Sequence, residues 1–383
     1  VSTLDQIVKI YSLDDKEREL IKTDKALIEQ QKKQYRIMAV ELDWSNLSFQ
    51  YRKTNAIIVS YYRDGEWSPL EATKDFDFHF SAFAGVFHYA NACFEGLKAF
   101  RGVDGKVRLF RPDENAKRIQ RSAGHLDMAY PSEEMFIEAC MMAVKENIEF
   151  LPPYGYGASM YLRPVIIGIN PQLGIASSKD VIFAVMCAPV GTYSGAKSLS
   201  PGTAVLARNY DRAAPNGTGS YKIAANYATS LHPYNLAHKQ GYRELLFLDP
   251  ATKTKIDEFG SSNFLAIKGN TYVTPLSNSV LPSITNKTLQ AVAEDFGMTV
   301  EKRAVYVEEL PEFEEINACG TAVVITPICS IDDKPALESN EITKTIHVPS
   351  GSECGKVSRK LYDRIRGIQD GLEEDTHNWC IVL

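Results

Sequence analysis

The chain lacks most of what would direct it toward a metal, a membrane or a nucleic acid. Its seven cysteines (Cys93, Cys140, Cys187, Cys319, Cys329, Cys354 and Cys380) are scattered without C-x-x-C spacing. That pattern indicates neither a zinc site nor a disulfide framework and suits a reducing compartment. The seven histidines form no H-E-x-x-H and no close pair of ligand spacing, which speaks against a structural metal. No apolar run reaches membrane-spanning length. The net charge is −6, and no basic patch with interleaved aromatics is present, so a nucleic-acid surface is not expected. The first forty residues are rich in Lys, Glu and Asp, unlike a signal peptide or an acid-poor transit peptide. A cytoplasmic setting is therefore expected, although a start at Val1 leaves a removed leader open. The last four residues, Cys380-Ile381-Val382-Leu383, match the C-a-a-X prenylation pattern. No polybasic segment precedes them, and a short closing strand over Trp379–Leu383 is the preferred reading.

What is present is an ordinary globular composition, 44% hydrophobic and 23% charged over 383 residues, long enough for two domains. Residues 1–38 read as an exposed, charged helical extension. Residues 39–190 alternate strands and helices as a small α+β domain. A helix enters at Pro112-Asp113, with an early proline, acids in its first turn and an apolar stripe through Ala116, Ile119 and Ala123. A second helix follows from Ser132, and strands over 158–167 and 180–188 close this half. The stretch from Val190 to Pro201 is poor in apolar residues and reads as an interdomain linker or lid, placed at 191–201. Residues 202–383 read as a larger α+β domain. There Pro233 should kink or restart a helix that follows Tyr227, Gly297 should end a helix over 285–296, and an acidic helix is expected over 308–316, before a strand over 320–327.

The densest chemistry lies in Ala213–Thr229, AAPNGTGSYKIAANYAT. Pro215, Asn216, Gly217 and Gly219 dictate tight turns, and Lys222 follows them directly, beside Ile223-Ala224-Ala225. Poorly solvated surroundings disfavour an ammonium and favour the neutral amine that attacks a carbonyl. On this stretch alone, a surface lysine after a loop remains the competing reading. A phosphate-binding P-loop does not fit, because the lysine spacing and the residue after it are wrong.

Taken together, FHYANACFEGLKAFRG, RLFRPDENAKRI, YLRP, GSYKIAANY, IDEFGSSNFL, LPSIT and CGTAVV occur in that order. The set resembles the branched-chain amino-acid aminotransferases of fold-type IV, from about residue 40 to 370. The resemblance implies a two-domain α+β fold like that of D-amino-acid aminotransferases, with pyridoxal 5′-phosphate held between the domains. It also implies ping-pong transfer of an amino group between L-leucine, L-isoleucine or L-valine and 2-oxoglutarate. It assigns Lys222 as the Schiff-base and proton-transfer lysine, Glu258 as partner of the pyridine nitrogen and Tyr227 as partner of the phenolic oxygen. It gives Arg118 to the phosphate, with the Ile284 and Thr285 amides at a helix start and the hydroxyls of Ser261 and Thr321. It places Tyr89, Phe94, Tyr161, Arg163 and Tyr193 in the substrate pocket, with the Thr321 and Ala322 amides toward the α-carboxylate. In the family the counterpart of Tyr89 reaches toward the neighbouring subunit's site, which implies a homodimer. Mammalian members carry a redox C-x-x-C after Gly-Thr-Ala; here the corresponding residues are Val323-Val324-Ile325-Thr326, so that thiol switch is absent, and Cys319 reads as a small buried residue. Alternatives are a D-amino-acid aminotransferase, an aminodeoxychorismate lyase and, from another class, a non-catalytic phosphate-binding homologue.

Overall fold

The computed structural model describes residues 40, 42–191 and 199–383. The expected extension over 1–38 and Tyr193 lie outside the described residues. The chain divides into two compact units, Val1–Gly195 with Arg366–Leu383, and Ala196–Ile365. The last segment of the range read as one domain over 202–383 thus groups with the first unit. The reason is visible in the strand pairing below.

Unit 1 is built on strands β1 (Ile57–Arg63), β2 (Glu66–Trp67), β3 (Glu71–Thr73), β4 (Ala92–Phe94), β5 (Leu97–Arg101), β6 (Val107–Phe110), β7 (Ser159–Gly168), β8 (Val181–Val190) and, from the far end of the chain, β18 (Cys380–Val382). Among the described residues they run in the order β18-β6-β5-β7-β8-β1-β2, with β3 on β1 and β4 on β7, all antiparallel. Strand β18 pairs Cys380 with Phe110 and Val382 with Arg108, so the closing strand expected from the sequence forms and covers what would be a sheet edge. Among the described residues, three α-helices lie wholly within this unit: α1 (Gly85–Tyr89), α2 (Pro112–His125) and α3 (Glu133–Glu146). The start of α2 matches its sequence signals, with Pro112, Asp113 and Glu114 in the first turn. Ser132 caps α3 by accepting from the Met135 amide. Ile57, Val59, Ile182 and Ala184 form part of the core.

Unit 2 contains β9 (Gly202–Ala207), β10 (Glu244–Leu248), β11 (Ile256–Phe259), β12 (Asn263–Lys268), β13 (Thr271–Pro275), β14 (Thr299–Arg303), β15 (Glu315–Gly320), β16 (Val324–Asp333) and β17 (Lys344–His347). Their order is β11-β10-β9-β16-β15-β12-β13-β14, with β17 on β16. Helix α4 (Ala224–Lys239) packs on β10, and α5 (Ile284–Asp295) packs on β14 and β15. Helix α6 (Lys356–Gln369) follows β17. The core gathers Leu206, Leu246, Phe259, Phe264, Phe313 and Ile328.

Two local expectations are corrected here. Helix α4 begins at Ala224, before Tyr227, and runs through Pro233 without restarting. Pro233 is buried, and one missing backbone bond is tolerated in a helix supported by tertiary packing. The acidic helix expected over 308–316 is a short 3-10 helix, Val307–Glu312, followed by β15. Pro311 limits the helical run, and the buried run from Glu315 favours the sheet, so Gly320 ends one strand and Val324 starts the next.

Candidate active site

In unit 2 the lysine-bearing loop is fastened to the helix that follows it. Asn226, in the first turn of α4, accepts from Thr218 Oγ1 (2.5 Å) and donates through Nδ2 to the carbonyls of Thr218 and Tyr221 (2.8 Å each). This buried amide does for the loop what a cap does for a helix. Gly219 is needed for a close approach: a Cβ there would lie 2.2 Å from the Ser279 carbonyl oxygen. Lys222 emerges from this clamp half-buried. Its Nζ donates to Tyr227 Oη at 2.7 Å and lies 5.1 Å from that ring's centroid. The amine is thus oriented by a phenol five positions on, across one turn of helix.

Glu258 lies on β11, 4% exposed. Its Oε1 meets Arg212 Nη2 at 2.6 Å and accepts from the Leu281 amide at 3.0 Å. Its Oε2 accepts from Asn263 Nδ2 at 2.5 Å. Burial pushes this carboxyl above the ordinary range, and Arg212, the Leu281 amide and Asn263 oppose that push. Arg212 also donates to the carbonyls of Gly219 and Ser279, so one guanidinium joins the acid, the lysine loop and the 277–283 segment. Around this knot Arg212 Nε, Asp257 Oδ1, Ser262 Oγ and Asn263 Oδ1 are buried with no hydrogen-bond partner among the described residues. Orphaned buried polar atoms are scarce in native proteins, and such a cluster is what a polar ligand would satisfy.

The same unit supplies a capped helix start of the kind that suits an anion. Ser283 caps α5, its hydroxyl accepting from the Asn286 amide and its carbonyl from Lys287. The amides of Ile284 and Thr285, the first two of the helix, have no intrahelical acceptor by geometry and meet the positive end of the dipole. Tyr272 Oη donates to Asn286 Oδ1 (2.6 Å), and Asn286 Nδ2 to Thr274 Oγ1 (2.9 Å), which anchors this turn on β13. Ser261 is exposed in the turn between β11 and β12, and Thr321 and Ala322 sit half-buried in the turn joining β15 to β16. In that turn Val324 adopts φ +66° and the Ile325 amide donates to the Val323 carbonyl at 2.9 Å. A β-branched residue in this region marks a strained, fixed backbone. Cys319 is fully buried; burial, with Glu258 adding, pushes its thiol well up, which disfavours thiolate chemistry.

In unit 1 the expected residues cluster on β4, β7 and α2. Tyr161 and Arg163 alternate onto one face of β7. The Arg163 guanidinium lies 4.8 Å from the Phe94 ring and 5.2 Å from the Tyr161 ring. Its Nη2 donates to Tyr161 Oη at 3.2 Å, and its Nε is buried without a partner among the described residues. Gly96 makes room for this group, since a Cβ there would fall 2.1 Å from Tyr161 Oη. Arg118 points inward from α2: its Nε and Nη2 donate to the two oxygens of Glu95, each at 2.7 Å. Tyr89 ends α1, and its hydroxyl donates to the Leu173 carbonyl at 2.5 Å.

Reading the sequence missed Arg212, Asn263, Asn115 and Glu95 as members of these groups. Glu95 lies inside one of the ordered motifs, and Arg212 stands just before the Ala213-Ala214-Pro215 turn. Neither carries a local signal, because each acquires its meaning from a partner brought close by folding. Among the described residues, no group of three or more His, Cys, Asp or Glu side chains could hold a metal ion, and no helix is long and apolar enough to cross a membrane.

The amino-transferase class IV family matches residues 92–331. The branched-chain-amino-acid aminotransferase of Haemophilus influenzae is 42% identical, covering 90% of this chain and 99% of its own length. Among solved structures, the Escherichia coli branched-chain amino acid aminotransferase superposes with a TM-score of 0.68 at 27% identity, over 86% of this chain and 99% of that one. The branched-chain aminotransferase of the thermophilic archaeon Thermoproteus uzoniensis, solved with norvaline, shares the fold with a TM-score of 0.68 at 22% identity, over 85% and 99% of the two chains. A further branched-chain amino acid aminotransferase with the same fold, at 21% identity and a TM-score of 0.69 over 86% and 99% of the two chains, was solved in complex with N-(5′-phosphopyridoxyl)-L-glutamate.

Proposed function

Since the chain belongs to the amino-transferase class IV family and, within it, to the branched-chain-amino-acid aminotransferases of fold-type IV, we propose that it transfers the amino group between L-leucine, L-isoleucine or L-valine and 2-oxoglutarate. Pyridoxal 5′-phosphate is its proposed cofactor. The observation that carries this reading is the Lys222–Tyr227 hydrogen bond at 2.7 Å, made in the unit that also holds the buried carboxylate of Glu258.

The residues present fit the cofactor. Glu258, stripped of water and already facing donors, is suited to a protonated ring nitrogen, and the orphaned polar atoms beside it support a polar occupant. Tyr227 would meet the phenolic oxygen. Arg118, the amides of Ile284 and Thr285, and the hydroxyls of Ser261 and Thr321 would hold the phosphate. When bound, the cofactor supplies an electron sink that acidifies the substrate's α-C–H. Lys222 Nζ, oriented by Tyr227, would take the proton from the substrate α-carbon and deliver it to the cofactor's aldehyde-derived carbon rather than back to the α-carbon. Thr321 and Ala322 present backbone amides to the substrate α-carboxylate from a rigid turn. Phe94, Tyr161, Tyr89 and Tyr193 supply apolar surface for a branched side chain, and Arg163 with the Tyr161 hydroxyl meets the distal carboxylate of glutamate.

The assembly we propose is a homodimer. Phe83, Phe87, Leu173 and Ile175 are 56%, 65%, 82% and 89% exposed. They adjoin one another: the Gln172 amide donates to the Phe83 carbonyl, and Phe80 stacks on Phe87 at 5.5 Å. An apolar patch of this kind supports burial against a second copy, and Tyr89 lies within it. A cytoplasmic setting is supported by seven free cysteines.

The test is a visible absorption spectrum of the purified protein before and after L-leucine, with no oxo acid present. A yellow band that bleaches with leucine and is missing in Lys222→Ala is the expected result. A yellow protein indifferent to leucine would remove the substrate assignment, and a protein that stays colourless with added pyridoxal phosphate would remove the cofactor.

A further inference from the structure

Arg118 is not a free cation waiting for an anion. Its guanidinium meets Glu95 in a parallel fork, Nε to Oε1 and Nη2 to Oε2 at 2.7 Å each. Glu95 is 0% exposed and Arg118 10% by side chain. Asn115, one turn before Arg118 on the same face of α2, donates to Glu95 Oε2 at 2.7 Å and to the Gly96 carbonyl at 3.3 Å. The Gly96 amide adds a longer contact to Glu95 Oε2 at 3.3 Å. The Glu95 backbone is itself pinned, its amide donating to the Pro164 carbonyl at 2.8 Å. A buried carboxylate with this many aimed donors costs desolvation and contributes little net stability by itself. What it does fix is direction: two of the five N–H donors of a guanidinium are committed to Glu95, and the plane of the fork sets where the others face.

We propose that Glu95 is a positioning residue for Arg118, holding the guanidinium in the orientation in which it takes the phosphate of the cofactor. This inference rests on the assignment of Arg118 to the phosphate. Removing the Glu95 charge would leave Arg118 more positive, so simple electrostatics would tighten phosphate binding; positioning instead requires that binding weaken. The two accounts therefore differ in sign.

The experiment measures dissociation constants of the full-length chain for pyridoxal 5′-phosphate and for pyridoxal, which lacks the phosphate. The ratio of the two isolates the phosphate contribution. In Glu95→Gln the preference for the phosphorylated form should fall by about tenfold, the loss of one well-aimed charge-assisted contact, while pyridoxal binding is retained. Glu95→Asp keeps the charge but shortens the reach, and should lower the same ratio; it serves if Glu95→Gln does not fold. An unchanged or raised ratio in the variants that fold, including one where melting temperature and both affinities drop together, would overturn the proposal. Arg118→Gln run alongside separates the two levels. If it leaves the ratio intact, the assignment of Arg118 itself fails; if it lowers the ratio and the Glu95 variants do not, only the positioning role fails.

Discussion

Glu95 in unit 1 and Glu258 in unit 2 are both buried carboxylates facing an arginine, and they are held in different ways. The side-chain donors to Glu95 come from one helix: Asn115 and Arg118 are three residues apart on α2. The donors to Glu258 come from three separate segments: Arg212 before the lysine loop, the Leu281 amide ahead of α5, and Asn263, which pairs with Glu258 across the β11–β12 turn. The first acid is served by an element that is already rigid. The second makes several loops rigid by being served. Donors on one element keep damage local, whereas donors on several make the acid one of the junctions between those segments.

The comparison can be broken most forcefully at Arg212. In Arg212→Ala the Glu258 carboxylate stays buried without its cation, which should cost about 3–5 kcal/mol of stability, read from urea denaturation. Hydrogen exchange should rise through 213–221, since the Gly219 and Ser279 carbonyls lose their donor as well. A normal exchange pattern there would remove the junction role.

A smaller effect is expected at Lys98, where unit 1 buries an ammonium near a like charge. Burial first, and Arg366 second, lower this lysine from 10.5 to about 7. Between those pH values the unfolded chain binds a proton that the folded chain does not, so stability rises with pH across the window. Below about 7 the full cost of a buried ammonium is present. Lys98→Met should therefore stabilise by about 1–3 kcal/mol near pH 6.5, and the gain should vanish as pH approaches 10.5, checked by melting temperature across pH. A gain independent of pH would mean that the lysine charge is not its source.

The smallest effect sharpens the contrast from the other side. Asn115→Ala removes one donor to Glu95 while the Arg118 fork remains, and should cost about 1–2 kcal/mol, with exchange protection unchanged outside α2. A loss approaching that of Arg212→Ala would erase the distinction between local and dispersed support.

How much of this is legible in the sequence follows the same division. Helix α2 is readable because Pro112, Asp113 and Glu114 act on their own first turn. The stretch carrying Lys222 is readable because its turn residues and the lysine are neighbours in sequence, and the ordered motifs name the family. The helix expected over 308–316 does not form, since the sheet uses Glu315–Gly320 better than a proline-limited helix could. Pro233 starts no new helix for a related reason: a break signal is local, and the packing around this buried proline is not. Arg212 and Glu95 stay invisible as site members because an ion pair across 46 or 23 positions leaves no periodic mark.

Strand β18 carries a consequence for how the chain comes into being. Unit 1 contributes the chain's early strands and also its final one, while every residue of unit 2 lies between them. During synthesis from the N-terminus, β6 remains an open edge until Cys380–Val382 has been made, long after all the strands of unit 2 are available. Domains tend to fold as their residues emerge. For this protein the unit begun first is the one completed last, and β6 depends throughout on a partner that the ribosome has yet to deliver.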